Sequence, residues 1–188
     1  MESLRQAAGL ILAGLLAVAH AQTVDSILDE IPFVPTPMEV VDWMLEMAEV
    51  NRGDVVYDLG SGDGRIVIRA AKKYGARGVG IEMDRELVEL SRAKAREEGV
   101  SHLVEFQVED ALKADVSPAT VVTLYMLPWF NAKLKPVFER QLRPGARVVA
   151  HDYDIEGWSP ARVEKLSTIE NKVGGARHQH FIYLWRIK

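Results

Sequence analysis

A chain of 188 residues with 48% hydrophobic and 27% charged residues has the make-up of a globular protein rather than a disordered one. It has no cysteine, which excludes a disulfide scaffold, a cysteine-ligated zinc finger, an iron–sulfur cluster and a cysteine nucleophile. The formal net charge of −4 argues against a protein held on nucleic acid by bulk electrostatics.

The first residues read as a targeting segment. Arg5 precedes an apolar run from Ala7 to Ala19, and Ala19-His20-Ala21 places small residues where a signal peptidase cuts. The run is short for a bilayer-spanning helix of about 20 residues. Residues 1–21 are therefore expected to be a signal peptide or an N-terminal anchor, and residues 22–188 one domain. That domain would be exported, periplasmic or tethered to a membrane through that segment alone.

After it come Pro32-Phe33-Val34-Pro35-Thr36-Pro37, where the prolines favour an extended lead-in. Thr36 reads as a helix N-cap, with Pro37 at the first helical position and Glu39 completing a capping box. The helix runs from Met38 to Ala48, with Met38, Val41, Leu45 and Ala48 on one face. Strands and helices then alternate. Strands are expected at Val55–Asp58, Gly78–Glu82, Val104–Gln107, Val121–Leu124 and Arg147–Ala150, and helices at Arg65–Tyr74, about Arg85–Glu98 and Asn131–Gln141. Two further strand-like runs, Val163–Glu170 and His178–Ile187, have no helix between them, and Phe181, Tyr183 and Trp185 share one side of the second. The expected fold is α/β: a doubly wound, Rossmann-like sheet of five parallel strands plus a C-terminal antiparallel hairpin.

In such sheets ligands bind beyond the carboxyl ends of the strands. The first strand ends in Asp58-Leu59-Gly60-Ser61-Gly62-Asp63-Gly64. The third glycine falls one residue early for a dinucleotide fingerprint, and no Gly-Lys-Ser/Thr is present for a P-loop. Asp58 stands two residues before the first glycine. A carboxylate there repels a pyrophosphate and suits a cation, such as a ligand with an amino group beside a sulfonium. That ligand is S-adenosylmethionine. Gly60 and Gly62 let backbone approach it, with Asp63 beside them. Glu82 ends the second strand, where it can accept the ribose hydroxyls, Met83 offers an adenine-facing surface, and Asp110 can accept the adenine amino group.

Residues 33–158 resemble the seven-stranded, class I protein lysine methyltransferases, above all the archaeal broad-specificity enzymes and the mitochondrial family acting on ATP synthase and the adenine nucleotide carrier. The likeness is carried by Phe33-Val34-Pro35-Thr36-Pro37, by Val56 to Ile66, by Ala119 to Thr123 and by Gly145 to Asp152. It implies that Thr36 closes over the cofactor's methionine end, and that Tyr125 and the following loop line an acceptor channel. Tyr125, His151 and Asp152, at the ends of the fourth and fifth strands, are the catalytic candidates. The expected reaction is direct, in-line methyl transfer to an exposed lysine of a protein or peptide, without nucleic acid as partner. A small-molecule acceptor, or a non-catalytic cofactor-binding module, are the alternatives. The chain lacks the Asn/Asp-Pro-Pro-Tyr/Phe of amide and adenine methyltransferases, and without cysteine the covalent route to pyrimidine methylation is closed. His178 and His180 share a strand face with no third metal ligand evident in the sequence, so no metal is expected.

Overall fold

A computed structural model describes residues 33–169 and 177–188 of the chain. The expected signal segment and the Asn171–Gly175 connection lie outside the described residues. The elements, in chain order, are α1 (Met38–Met47), β1 (Val55–Leu59), α2 (Arg65–Tyr74), β2 (Arg77–Glu82), α3 (Arg85–Glu97), β3 (Val104–Val108), β4 (Val121–Leu124), α4 (Pro128–Gln141), β5 (Arg147–His151), β6 (Arg162–Ile169) and β7 (Arg177–Arg186).

The seven strands form one sheet in the order β3-β2-β1-β4-β5-β7-β6. Strands β1 to β5 are parallel, and β7 runs antiparallel to both β5 and β6. The chain winds outward from β1 to β3, then returns to β4 on the other side of β1. The order therefore reverses between β1 and β4, which opens a crevice above their carboxyl ends.

Strand periodicity sorts side chains to two faces. On one face Val56, Val121, Val149, Ile182 and Leu184 pack with Val40, Val41, Met44 and Leu45 of α1, all fully or almost fully buried. The same face carries, nearer the carboxyl ends, Asp58, Thr123 and His151. On the other face Trp185 lies 6.4 Å from Trp158, which lies 6.2 Å from Phe138 of α4. Phe181, Tyr183 and Trp185 stack in a row as their spacing predicts, with centroids 6.5 and 5.8 Å apart. Gly78 brings α2 close to β2: a Cβ there would stand 2.1 Å from Val67 Cγ1.

Three sequence expectations change. Pro37, not Thr36, is the cap residue of α1, and no side chain makes the capping hydrogen bond. The Thr36 hydroxyl is instead 3.3 Å from His151 Nδ1. Met38 is 43% exposed, because the buried stripe of α1 is Val40, Val41, Met44, Leu45 and Met47. Helix α4 begins at Pro128 rather than Asn131, since proline at the first helical position loses no needed N–H and Leu127 C=O accepts from Asn131 N–H at 3.0 Å.

Candidate functional site at the sheet's reversal

Asp58 and Thr123 are register partners on β1 and β4, directly below the crevice. The Thr123 hydroxyl donates to Asp58 Oδ1 at 2.7 Å, and the carboxyl is only 3% exposed. Burial pushes its pKa up to about 7. Thr123 opposes this shift, and the charges of Glu82 and Asp63 add to it. A buried carboxylate facing like charges is a seat for a cation that brings its own N–H donors.

The glycine loop wraps this carboxylate. Gly60 has φ 76°, a conformation costly for any residue with a Cβ, and a Cβ there would stand 2.7 Å from Met126 Sδ. Gly62 N–H donates to Glu82 Oε2 at 2.8 Å and Asp84 N–H to Glu82 Oε1 at 3.0 Å, so the loop fixes the acid at the end of β2. Asp84 in turn caps α3 through the N–H groups of Glu86 and Leu87. Met83 and Asp110 are half-buried beside that acid; Asp110 Oδ1 accepts from Leu112 N–H at 3.0 Å, and Lys113 Nζ stands 3.4 Å from its carboxylate.

Asp63 serves the loop itself. Arg65 donates to both its oxygens, at 2.8 and 2.7 Å, and Lys94 Nζ lies at 2.6 Å. Burial would raise this carboxyl, but the hydrogen bonds from Arg65 and Lys94 outweigh it and hold the pKa at about 2. Arg65 was given no role by sequence reasoning, yet its Nη1 donates to Thr36 C=O at 2.8 Å. One guanidinium thus joins the glycine loop to the lead-in. The only sign in the sequence was an arginine directly after the last glycine.

On the far side of the crevice, beyond β4 and β5, aromatic rings gather. Tyr125 lies over His151, with centroids 4.0 Å apart, and its ring is nearly parallel to that of Tyr153 at 6.1 Å. Asp152 has φ 60°, rare for a residue with a side chain. It is pinned to β7 twice: its N–H donates to Phe181 C=O at 2.7 Å, and Phe181 N–H donates to its Oδ1 at 2.9 Å. His151 is buried, and burial drives its pKa down to about 4 against the pull of Asp152, with His180 adding to the depression. The structure brings Tyr125, His151 and Asp152, the three catalytic candidates, into one cluster.

It also brings in two residues outside that trio, His180 and Thr168. His151 Nε2 is 2.9 Å from His180 Nδ1, and His180 Nε2 is 2.9 Å from Thr168 Oγ1. Asp152 Oδ2 lies 3.3 Å from His151 Nε2 and 3.7 Å from His180 Nδ1. His180 therefore clusters with His151 and Asp152. The spacing between the ring nitrogens is that of a hydrogen bond, shorter than the ~3.3 Å edge of a tetrahedron with zinc–ligand bonds of ~2.0–2.1 Å. The expected channel loop is different too: Phe130 is buried in the first turn of α4, and Trp129, 37% exposed, carries Lys133 Nζ 4.7 Å from its ring centre.

Comparison with known proteins places these features in a context. Residues 58–162 match the family described as the ANTKMT methyltransferase domain. A protein-lysine N-methyltransferase of Saccharolobus islandicus is 40% identical over 160 residues, which is 85% of this chain and 96% of that protein. A mouse adenine nucleotide translocase lysine N-methyltransferase is 33% identical over 135 residues, 71% of this chain and 58% of its own length. Among solved structures, one described as an RNA methyltransferase from Salinibacter ruber, in complex with S-adenosyl-L-homocysteine, is 53% identical with a TM-score of 0.73. The match covers 82% of this chain and 94% of that one.

Proposed function

The chain belongs to the ANTKMT-type branch of the class I S-adenosylmethionine-dependent methyltransferases, and from that membership we propose that it is a protein-lysine N-methyltransferase whose donor lies over Asp58 and whose acceptor enters beside Tyr125. The observation that carries the reading is the buried Asp58 carboxyl at the sheet's reversal, held by Thr123 and ringed by a glycine loop. The bound donor supplies an electrophilic methyl group on a sulfonium.

The protein's own work is to hold, orient and dehydrate. Asp58 takes the amino group beside the sulfonium, Gly60 and Gly62 admit it to backbone, and Asp63 stiffens that loop through Arg65. Glu82, with both oxygens already aimed by backbone N–H groups, takes the ribose; Met83 and Asp110 serve the adenine. Thr36, drawn down by Arg65, closes the methionine end. A lysine ammonium has a pKa near 10.4 in water, and desolvation beside the rings of Tyr125 and Tyr153 lowers it toward the amine that attacks. In-line geometry does the rest.

Names of relatives support lysine as acceptor, while the Salinibacter protein is described as acting on RNA. The net charge of −4 favours the protein acceptor. The test is labelling with tritiated cofactor of three pools: a lysine-rich protein extract, the same extract after its lysines are acetylated, and purified RNA. Label in the first pool alone supports the reading; label in RNA alone overturns the lysine acceptor. Residues 1–21 are proposed to export or tether the enzyme, and N-terminal sequencing of the natural protein, starting at Gln22 or not, decides between cleavage and anchoring. Among the described residues no helix is long and apolar enough to cross a membrane.

A further inference from the structure

Methylating a lysine ammonium with a sulfonium releases a proton. The nitrogen–carbon bond forms with the amine's lone pair, the sulfur–carbon bond breaks with its pair left on sulfur, and the substrate enters with one N–H more than attack allows. That proton must leave a site closed by Thr36 and lined by aromatic rings. The structure holds an unbroken path for it across three strands, through two residues with no part in binding donor or acceptor.

We propose that Thr36, His151, His180 and Thr168 form a proton wire that drains the reaction from the donor's methionine end to the outer edge of the sheet. Its links are Thr36 Oγ1 to His151 Nδ1 at 3.3 Å, His151 Nε2 to His180 Nδ1 at 2.9 Å, and His180 Nε2 to Thr168 Oγ1 at 2.9 Å. All four side chains are buried, from 1% exposed at His151 to 8% at His180. Each imidazole uses one nitrogen inward and the other outward, which is the arrangement that lets a ring receive a proton on one side as it gives one up on the other. As Thr36 takes the acceptor's proton, its own passes to His151 Nδ1. The Nε2 proton of His151 then moves to His180 Nδ1, the Nε2 proton of His180 moves to Thr168 Oγ1, and the Thr168 hydroxyl proton passes to solvent water at the sheet edge. Bonds made and broken balance, and one proton emerges.

The surroundings fit transit rather than storage. Asp152 Oδ2 stands beside the junction of the two rings, 3.3 and 3.7 Å away, where it offsets the charge of a passing imidazolium. Tyr125, stacked on His151, is the other titratable group against that ring and is neutral at working pH. The low pKa of buried His151 keeps the proton from resting there. The outer end, Thr168 on edge strand β6, lies between exposed Ser167 and Ile169.

This inference rests on the lysine reading, and its test separates the two. Full-length parent, His180→Asn and Thr168→Val are assayed for kcat on a lysine-bearing protein between pH 6.5 and 9.5, alongside calorimetric cofactor affinity. Expected is a kcat lower by about tenfold to hundredfold at pH 7 in His180→Asn, and less in Thr168→Val. Cofactor affinity stays unchanged, and the deficit shrinks as pH rises and the acceptor loses its proton unaided. A deficit equal at every pH, or none in either variant, overturns the wire; so does stoichiometric zinc in the purified parent that is lost in His180→Asn. If the parent labels no lysine at all, the lysine reading falls, and the wire is judged by nitrogen-15 shifts of its histidine rings. Signals of His151 and His180 that titrate together, and separate in Thr168→Val, support it; independent titration overturns it.

Discussion

Asp58 shows how a residue suited to binding weakens the protein that carries it. Its carboxyl titrates at about 7 in the free protein, above the ordinary value of 3.8, because burial disfavours the charge. The folded state therefore holds a proton that the unfolded state has lost between about pH 4 and pH 7, and stability falls as pH rises through that window. The cationic cofactor selects the ionised form, so its affinity should rise between pH 5.5 and 7.5, approaching ~10-fold per unit below the pKa. Calorimetric titration at three pH values measures this, and a flat profile would refute the assignment. Asp58→Asn keeps an oxygen for Thr123 and removes the buried charge. The free variant should melt higher than the parent at pH 8 while losing cofactor binding; a lower melting temperature would mean that the charge is not what limits stability. Asp63 is the opposite case: with Arg65 and Lys94 its pKa is held near 2, so its contribution to stability persists until pH falls below the ordinary carboxylate range.

Between elements, close approach and tethering decide the site. Gly78 on β2 leaves room for Val67 of α2, whose Cγ1 would stand 2.1 Å from an added Cβ. Gly78→Ala should cost about 1–3 kcal/mol in denaturant unfolding, as overpacking does, with cofactor affinity nearly unchanged because the contact lies at the start of the strand, away from the crevice. Arg65→Lys keeps the charge but loses the fork that joins Asp63 to Thr36 C=O. A weakening of cofactor binding by about tenfold is expected, equivalent to ~1.4 kcal/mol by the usual conversion; an unchanged dissociation constant would show that the tether is idle. The same elements show how far sequence could see. Alternation of apolar runs located all five parallel strands, and the acids ending β1 and β2 stood out because strand ends are where ligands bind. The Thr36 hydroxyl misled because it had two suitors, a helix N-terminus two residues on and an imidazole 115 residues away, and local spacing reveals only the first. His180 was invisible as a partner of His151 because β7 inserts beside β5 rather than following β6 outward.

For the molecule as a whole, charge distinguishes the acceptors. A protein carrying net charge −4 that methylates lysines should lose only a fewfold in kcat/KM between 50 and 200 mM salt. One that depends on six or more phosphate contacts to RNA would lose roughly a thousandfold in affinity over that range. Steady-state rates at four salt concentrations separate the two, and a steep slope on a protein substrate would contradict the lysine assignment. The position of β7 has a consequence for biosynthesis. Although it comes last among the strands in chain order, it lies inside the sheet, joining β5 to β6 and supplying His180. Translation must therefore proceed through Arg186 before the sheet can be sealed. Until then, the polypeptide presents β5 as a bare edge to which any extended segment can bind.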